Sequence, residues 1–297
     1  MNSALRFALF GNVFQRQKSA SVTRLLSLLE ARDAKILMDR RFHHFLTTEA
    51  GVKLHDVELI DDDQFAADVV VSLGGDGTFL EVVRRVGRKQ IPILGINMGR
   101  LGFLSDFTSD EMEQAIDDIY EGRIRTEERS LLSVTYSEGA PTGHPFALNE
   151  VAVLKHNISS MISIRVEIDG EYLTTYQADG LIVNTPTGST GYALSVGGPI
   201  IWPSSHTIGL VPVAPHSLNV RPLMVSDSQH ISLSVESRSH NFLVSIDGRS
   251  EKCNENIRID ICRAPYTIQV LKRPGSSFFH TLRSKLMWGN DLRETKT

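Results

Sequence analysis

The stretch Leu73-Gly74-Gly75-Asp76-Gly77-Thr78 constrains the fold of this chain more than any other. Ahead of it, Asp68-Val69-Val70-Val71-Ser72 is short, apolar and β-branched, which reads as a buried strand of a parallel sheet. Behind it, Phe79, Leu80, Val82, Val83 and Val86 fall at helical spacing. The glycines therefore lie on a tight turn from a strand's C-terminal end into a helix's N-terminus, where open α/β sheets bind ligands. Free backbone N–H groups and the helix dipole favour anions there. Glycine lets a phosphate come close to the backbone and also allows positive φ. Gly74, Gly75 and Gly77 are thus a candidate phosphate cradle. Asp76 is the carboxylate within it, and a carboxylate there holds a metal, takes a proton or orients a hydroxyl. The structural alternative is a bare strand–helix turn with an Asp near the N-cap, but a cap does not require three glycines around it.

The 297 residues are enough for two domains. Lys plus Arg number 31 and Asp plus Glu 35, a formal charge of -4 that gives no argument for nucleic acid or an anionic membrane as partner. The two cysteines, Cys253 and Cys262, form no Cys-x-x-Cys, so a disulfide framework is not expected and a cytoplasmic location is. No apolar run reaches the length of a membrane span. Asn12, Gln15 and Arg16 interrupt any signal-peptide core, so export is not expected.

From the N-terminus, Ala4 to Phe10 reads as a strand ending at Gly11-Asn12. Ser19 to Ala31 reads as an amphipathic helix through Leu25, Leu26, Leu28 and Leu29. Ile36-Leu37-Met38 and Ile91 to Asn97 read as further strands, and the latter leads into a second glycine-bearing loop with Gly99, Gly102 and Phe103-Leu104. Met112, Ala115, Ile116, Ile119 and Tyr120 predict a helix over roughly Asp110 to Glu121. Alternating strand and helix predicts a doubly wound, parallel α/β domain over residues 1–122. Two charged clusters read as solvated: the loop Asp61-Asp62-Asp63, with cation binding as the sharper alternative, and Arg84, Arg85, Arg88 and Lys89 at a helix C-terminus, with phosphate binding as the sharper alternative.

At Gly122 the pattern changes. Ile162, Ile164, Val166 and Ile168 alternate with polar residues, as do Ile231, Leu233 and Val235, and Ile257, Ile259 and Ile261. Asp169-Gly170 and Asp247-Gly248 signal hairpins. Residues 123–274 are therefore expected to form an antiparallel all-β domain. Phe278, Phe279, Leu282, Leu286 and Trp288 mark a final apolar element that either covers the β domain or returns to the α/β domain.

Two further stretches carry chemistry. Asn149-Glu150, at the start of an apolar strand, pairs an amide with a carboxylate suited to sugar hydroxyls or a purine edge. Asp179 to Tyr192 runs from a buried strand into the loop Thr185-Pro186-Thr187-Gly188-Ser189-Thr190-Gly191-Tyr192, rich in hydroxyls and exposed backbone. That composition suits phosphate, ribose or amide groups, and Tyr192 offers a face for stacking. The alternatives are a strand-end turn and a Ser/Thr-rich loop. No His/Cys metal spacing is present, nor a P-loop, nor a Gly-x-Gly-x-x-Gly after the first strand.

Taken together, Gly74 to Thr78, Asn149-Glu150 and Pro186 to Tyr192 resemble bacterial NAD kinases. Gly-Gly-Asp-Gly alone is shared with 6-phosphofructokinases and with diacylglycerol and sphingosine kinases; the order and spacing of all three is more specific. The likeness extends to Asn97-Met98-Gly99-Arg100-Leu101-Gly102-Phe103-Leu104 and to Lys285-Leu286-Met287-Trp288, and departs where Gly191 replaces the usual Ala. The resemblance implies a β-sandwich-like second domain and a tail, residues 275–297, that returns to the first. It implies transfer of the γ-phosphoryl of ATP, with Mg2+ or Mn2+, to the 2′-hydroxyl of the adenosine ribose of NAD. Asp76 would be the proton acceptor. Asn149, Glu150, Asp179, Thr187 and the run Thr190, Gly191, Tyr192, Ala193, Leu194 and Ser195 would line the dinucleotide site, with further contacts from Ser160, Gln177, Ala214 and Arg249. It also implies a homodimer or homotetramer in which Asp179 crosses to a neighbouring copy's site. The competing readings are a lipid kinase of the diacylglycerol type and a non-catalytic NADP sensor.

Overall fold

The computed structural model describes residues 4–13, 19–99, 102–157 and 160–288. Gln15, Arg16, Arg100 and Leu101, named above, lie outside the described residues. The chain divides into two units, Met1–Glu128 with Ile268–Thr297, and Arg129–Thr267.

In the first unit β1 (Arg6–Gly11), α1 (Ser19–Glu30), β2 (Lys35–Asp39), α2 (Arg40–His44), β3 (Val57–Ile60), β4 (Val69–Gly74), α3 (Asp76–Val86), β5 (Ile93–Asn97), β6 (Phe107–Thr108) and α4 (Met112–Tyr120) follow in order. The strands pair in parallel as β3-β2-β1-β4-β5, with β6 beside β5. Every residue of β4 and β5 is buried, as in a sheet covered on both faces. Leu94 and Ile96 of β5 share one apolar cluster with Phe7, Leu25, Leu29, Met112 and Ile116. Gly95 points the other way, where a methyl group would meet Phe79 of α3 at 3.0 Å. Helices α1 and α4 therefore cover one face and α3 the other, which is the doubly wound arrangement expected.

Local chemistry explains the elements that periodicity did not register. Helix α2 is only five residues, too short for a pattern, and exists because Asp39 caps it by accepting the Arg41 and Phe42 N–H groups, both at 3.1 Å. The helix expected over Asp110–Glu121 begins as a 3₁₀ turn, Ser109–Glu111, with a capping box between Thr108 and Glu111.

The second unit contains β7 (Arg125–Tyr136), β8 (Phe146–Ala147), β9 (Glu150–Lys155), β10 (Ile162–Ile168), β11 (Glu171–Ala178), β12 (Gly180–Asn184), α5 (Tyr192–Ser195), β13 (Thr207–Val213), β14 (Leu223–Ser226), β15 (Ile231–Glu236), β16 (Asn241–Ile246), β17 (Arg249–Asn254) and β18 (Ile259–Lys272), the first and last of which extend past its boundaries. One sheet runs β14-β13-β12-β9-β16-β17, antiparallel throughout. The other carries β11-β10-β15-β18 with β7 and β8. Ile162, Ile164, Val166 and Leu233 from one sheet share a core with Val151, Val153, Leu181 and Val244 from the other, so the two stack as a sandwich. Both hairpin signals hold: Asp169 and Gly170 have φ 51° and 83°, Asp247 and Gly248 φ 47° and 78°. Those are the paired left-handed residues that a two-residue hairpin demands.

Past Thr267 the chain belongs to the first unit, where Val270 pairs in parallel with Ile93. Helix α6 (Phe278–Leu286) follows and buries Leu282.

Candidate active site

In the first unit, β4 ends at Gly74 and α3 begins at Asp76, whose charge suits a helix N-terminus. The left-handed backbone that glycine permits is not used: Gly75 is extended at φ −98°, and Gly74 and Gly77 are absent from the positive-φ residues. Their value is space. A methyl group on Gly74 would lie 2.2 Å from Thr78 Oγ1, whereas Gly75 and Gly77 face nothing within 4 Å.

The carboxylate of Asp76 is held by the loop after β5. The Phe103 N–H donates to one oxygen at 2.9 Å and the Leu104 N–H to the other at 3.2 Å. A methyl group on Gly102 would sit 2.0 Å from Asp76 Oδ1, so only glycine lets the two loops meet this closely. Asp76 itself stays half-buried. The result is a carboxylate of fixed orientation, partly exposed, at the mouth of a glycine turn. The sequence offered the second loop as a motif but not its purpose, because a contact between residues 76 and 103 leaves no periodic trace.

In the second unit, Asn149 and Glu150 begin β9, and the loop 185–191 folds against them. Thr185 N–H donates to the Asn149 carbonyl at 2.9 Å, and the Thr185 hydroxyl to that of Leu148 at 2.5 Å. A methyl group on Gly188 would lie 2.0 Å from the Asn149 carbonyl oxygen. Thr187 is buried, with Arg129 Nη1 3.5 Å from its hydroxyl. Thr190 donates back to the Thr187 carbonyl. Gly191 precedes α5; Tyr192 is exposed there, while Ala193 packs with Ala152, Ile182 and Val211, and Ser195 bonds to the Tyr192 carbonyl. Asn149 Oδ1 and Glu150 Oε2 are buried and have no hydrogen-bond partner among the described residues. Buried polar atoms left unpaired are costly, and both oxygens could accept hydrogen bonds from a polar ligand.

Asp247 organises this end, and sequence reasoning missed it by reading it as turn chemistry alone. Its carboxylate accepts the N–H groups of Leu148, Asn149 and Glu150 at 2.7, 2.9 and 3.1 Å. Burial pushes its pKa up, against the pull of those three bonds and of Arg249. Glu150 is pushed up to about 7, first by burial and then by the Asp247 charge, while the Tyr192 backbone N–H opposes the rise. Arg249 directs its guanidinium to the carbonyls of His144 and Phe146, bracing the same segment from behind.

The remaining candidates gather elsewhere. Glu150 pairs with Asn184 in register and Leu154 with Gly180, so Lys155 and Asp179 lie at the far end of the β9–β12 pair. Glu150 and Lys155 are five residues apart, about 17 Å along a strand. Asp179 forms an ion pair with Lys155 at 2.6 Å. Lys155, Ser160, Gln177, Glu236 and Arg238 line an open cavity of ≈ 760 Å³. Ala214, held at φ 45°, lies between Val213, whose carbonyl accepts the Asp179 N–H, and His216, whose N–H donates to the Gln177 carbonyl. Within one chain the second-unit candidates thus form two groups, Asn149, Glu150, Thr187, Thr190 to Ser195 and Arg249 at one end and Ser160, Gln177, Asp179 and Ala214 at the other.

The charged clusters of the first unit are engaged with one another. Asp61 bonds Arg40, and Asp63 bonds Arg84 and Arg85. Arg85 also reaches Asp39 at 2.9 Å, and Lys89 donates to the Arg85 and Val86 carbonyls. Among the described residues no group of three or more His, Cys, Asp or Glu is placed to hold a metal ion.

Comparison with known proteins gives this arrangement a family. Residues 7–124 match the ATP-NAD kinase N-terminal domain and residues 148–273 the ATP-NAD kinase C-terminal domain. The NAD kinase of Bacteroides fragilis is 55% identical over 289 residues, 97% of this chain and 100% of that protein. The NAD kinase of Porphyromonas gingivalis is 41% identical over 288 residues, 97% of this chain and 99% of its own. Among solved structures, an NAD kinase from Archaeoglobus fulgidus in complex with ATP superposes with a TM-score of 0.74 at 27% identity, over 95% of this chain and 99% of that one. Yeast NADH kinase complexed with NADH shares the fold, with a TM-score of 0.90 at 22% identity, over 100% of this chain and 91% of that one. The chain belongs to the ATP-NAD kinase family.

Proposed function

We propose that this protein transfers the γ-phosphoryl group of ATP to the 2′-hydroxyl of the adenosine ribose of NAD, with Asp76 as proton acceptor. The observation that carries the reading is Asp76 itself, fixed through both oxygens by the Phe103 and Leu104 N–H groups in a chain whose two halves match the kinase family. In the step, the 2′-oxygen bonds to the γ-phosphorus and the bond from that phosphorus to the β,γ-bridging oxygen breaks. ADP leaves with the bond's electrons, and the hydroxyl proton passes to the Asp76 carboxylate. Phosphoryl transfer depends on position and charge stabilisation more than on covalent help. A carboxylate beside the hydroxyl supplies the proton acceptor, and the Gly75 to Gly77 backbone leaves room for phosphate. Neither the lipid-kinase nor the sensor reading fits relatives that are NAD kinases.

Asn149 and Glu150, with their unpaired buried oxygens, are suited to the polar edges of the dinucleotide. A divalent ion, Mg2+ or Mn2+, would be carried by the ATP phosphates, where it would supply charge neutralisation. EDTA is therefore expected to abolish turnover without lowering the melting temperature of the ligand-free protein; a large drop would point to a structural metal. The reaction takes place in the cytoplasm, where the two free cysteines are at home.

The placement of Asp179 at the opposite end of β12 from Thr187 supports an active site shared between copies of a homodimer or homotetramer. Mixing Asp76→Asn with Asp179→Asn subunits would then restore activity, because one site per mixed pair carries no lesion. Mixed oligomers seen by mass spectrometry without recovered activity overturn this. The reaction is tested by following NADP formed from ATP, NAD and Mg2+. Steady NADP formation is expected, and its absence with folded protein contradicts the reading.

A further inference from the structure

Lys285 belongs to the tail helix α6, 209 positions after Asp76 in the sequence, yet it reaches the loop that holds Asp76. Its ammonium group donates to the Ser105 carbonyl at 3.1 Å. The same nitrogen lies 5.6 Å from the centroid of the Phe103 ring, over its face. Phe103 and Leu104, between these two anchors, are the residues whose N–H groups grip the Asp76 carboxylate. One side chain from the tail thus pins both ends of the three-residue segment that orients the base.

We propose that Lys285 is a positioning residue for phosphoryl transfer, holding the Phe103–Ser105 segment so that its N–H groups fix Asp76. This rests on the assignment of Asp76 as proton acceptor. The anchor is built to depend on charge. Lys285 is pressed down to about 8, chiefly by burial and by the neighbouring Lys272, against the opposing pull of Asp76 and Asp106. Lys272 comes from β18, Asp106 from the loop before β6, and Asp76 from the start of α3; Lys272 and Asp106 form an ion pair at 3.5 Å, so their charges largely offset one another. Below pH 8 Lys285 is charged and both anchors hold. As pH rises past 8 the charge disappears, and with it the attraction to the Phe103 ring.

The test compares wild type with Lys285→Met and Lys285→Arg. A misplacement of about 1 Å costs on the order of 100-fold in rate, so Lys285→Met is expected to lose at least ~10-fold in kcat while KM for ATP and NAD stays within about threefold. Arg stays charged and can make both anchors, so Lys285→Arg is expected to recover most of the rate. Wild type is expected to lose rate as pH rises past about 8, and Lys285→Arg to lack that alkaline fall. Amide exchange at Phe103 and Leu104 should quicken in the Met variant, a readout independent of turnover. Full kcat in Lys285→Met, or an alkaline limb unchanged in Lys285→Arg, overturns the proposal. So does unaltered amide protection in the Met variant, even should wild type prove inactive on NAD, an outcome that separately refutes the assigned reaction. If Lys285→Met shows no melting transition, the pH profile of Lys285→Arg decides alone.

Discussion

Asp76 in the first unit and Asp247 in the second use one device, a carboxylate gripped by consecutive backbone N–H groups of a distant loop, and put it to opposite ends. Asp76 accepts two such bonds, one on each oxygen, and stays half-buried. Asp247 accepts three, and burial drives its pKa upward. The first arrangement orients a carboxylate and leaves it free to act on something else. The second uses the carboxylate up in fixing Leu148, Asn149 and Glu150. Both side chains remain partly exposed; what separates them is how much of each carboxylate is taken up, two N–H groups against three, and the burial that raises the pKa of Asp247.

The largest effect expected from breaking this comparison is in Asp76→Asn. Loss of a general base typically costs about 10²–10⁴ in rate, so the variant should fold and bind NAD yet be nearly inactive. More than a tenth of wild-type kcat at pH 7.5 would mean that Asp76 is not the base. Next comes Asp247→Ala, which strands three partly buried N–H groups at about 1–3 kcal/mol each. It should lower stability in denaturant titration by about 3 kcal/mol or more, and a change under 1 kcal/mol would deny Asp247 its scaffolding role.

Glu150→Gln sharpens the contrast through pH. A carboxyl raised from 4.5 to about 7 stays protonated in the folded chain after the unfolded chain has ionised. Its contribution therefore favours folding below pH 4.5 and turns against it progressively up to about pH 7. Gln does not ionise, so the variant should match wild type near pH 4 and exceed it above pH 7 by about 3 kcal/mol at most. Equal stability at both ends would show that Glu150 titrates normally. The smallest effect is expected from Gly102→Ala, whose methyl group would meet Asp76 Oδ1 at 2.0 Å and push the loop away. About a tenfold drop in kcat with unchanged melting temperature is expected; an unaffected rate would mean that the loop gives way harmlessly.

Much of this was legible in the sequence because local signals govern it. The β-branched run Val69–Val71 followed by helical spacing announced β4 and α3, and Asp169-Gly170 announced a hairpin that forms, with a register shift at Val166/Glu167. What escaped was non-local. Nothing near Asp247 says that its carboxylate will serve residues 97 to 99 positions earlier, and nothing near Phe103 names Asp76 as its partner. The positive φ that glycine allows goes unused at the turn for a related reason. Gly74 is fixed by the side chain of Thr78 folding back on it, a packing constraint that backbone preference does not encode.

Where the phosphate goes is the most direct test of Asp76 as proton acceptor. Wild-type protein and Asp76→Asn would each be given ATP labelled in the γ-phosphoryl group, NAD and Mg2+, and the label's position assigned by phosphorus NMR and mass. The predicted result is label in the 2′-phosphate of NADP with wild type and none there with Asp76→Asn over the same interval. Label released only as inorganic phosphate, or equal labelling of NADP by both proteins, would contradict it.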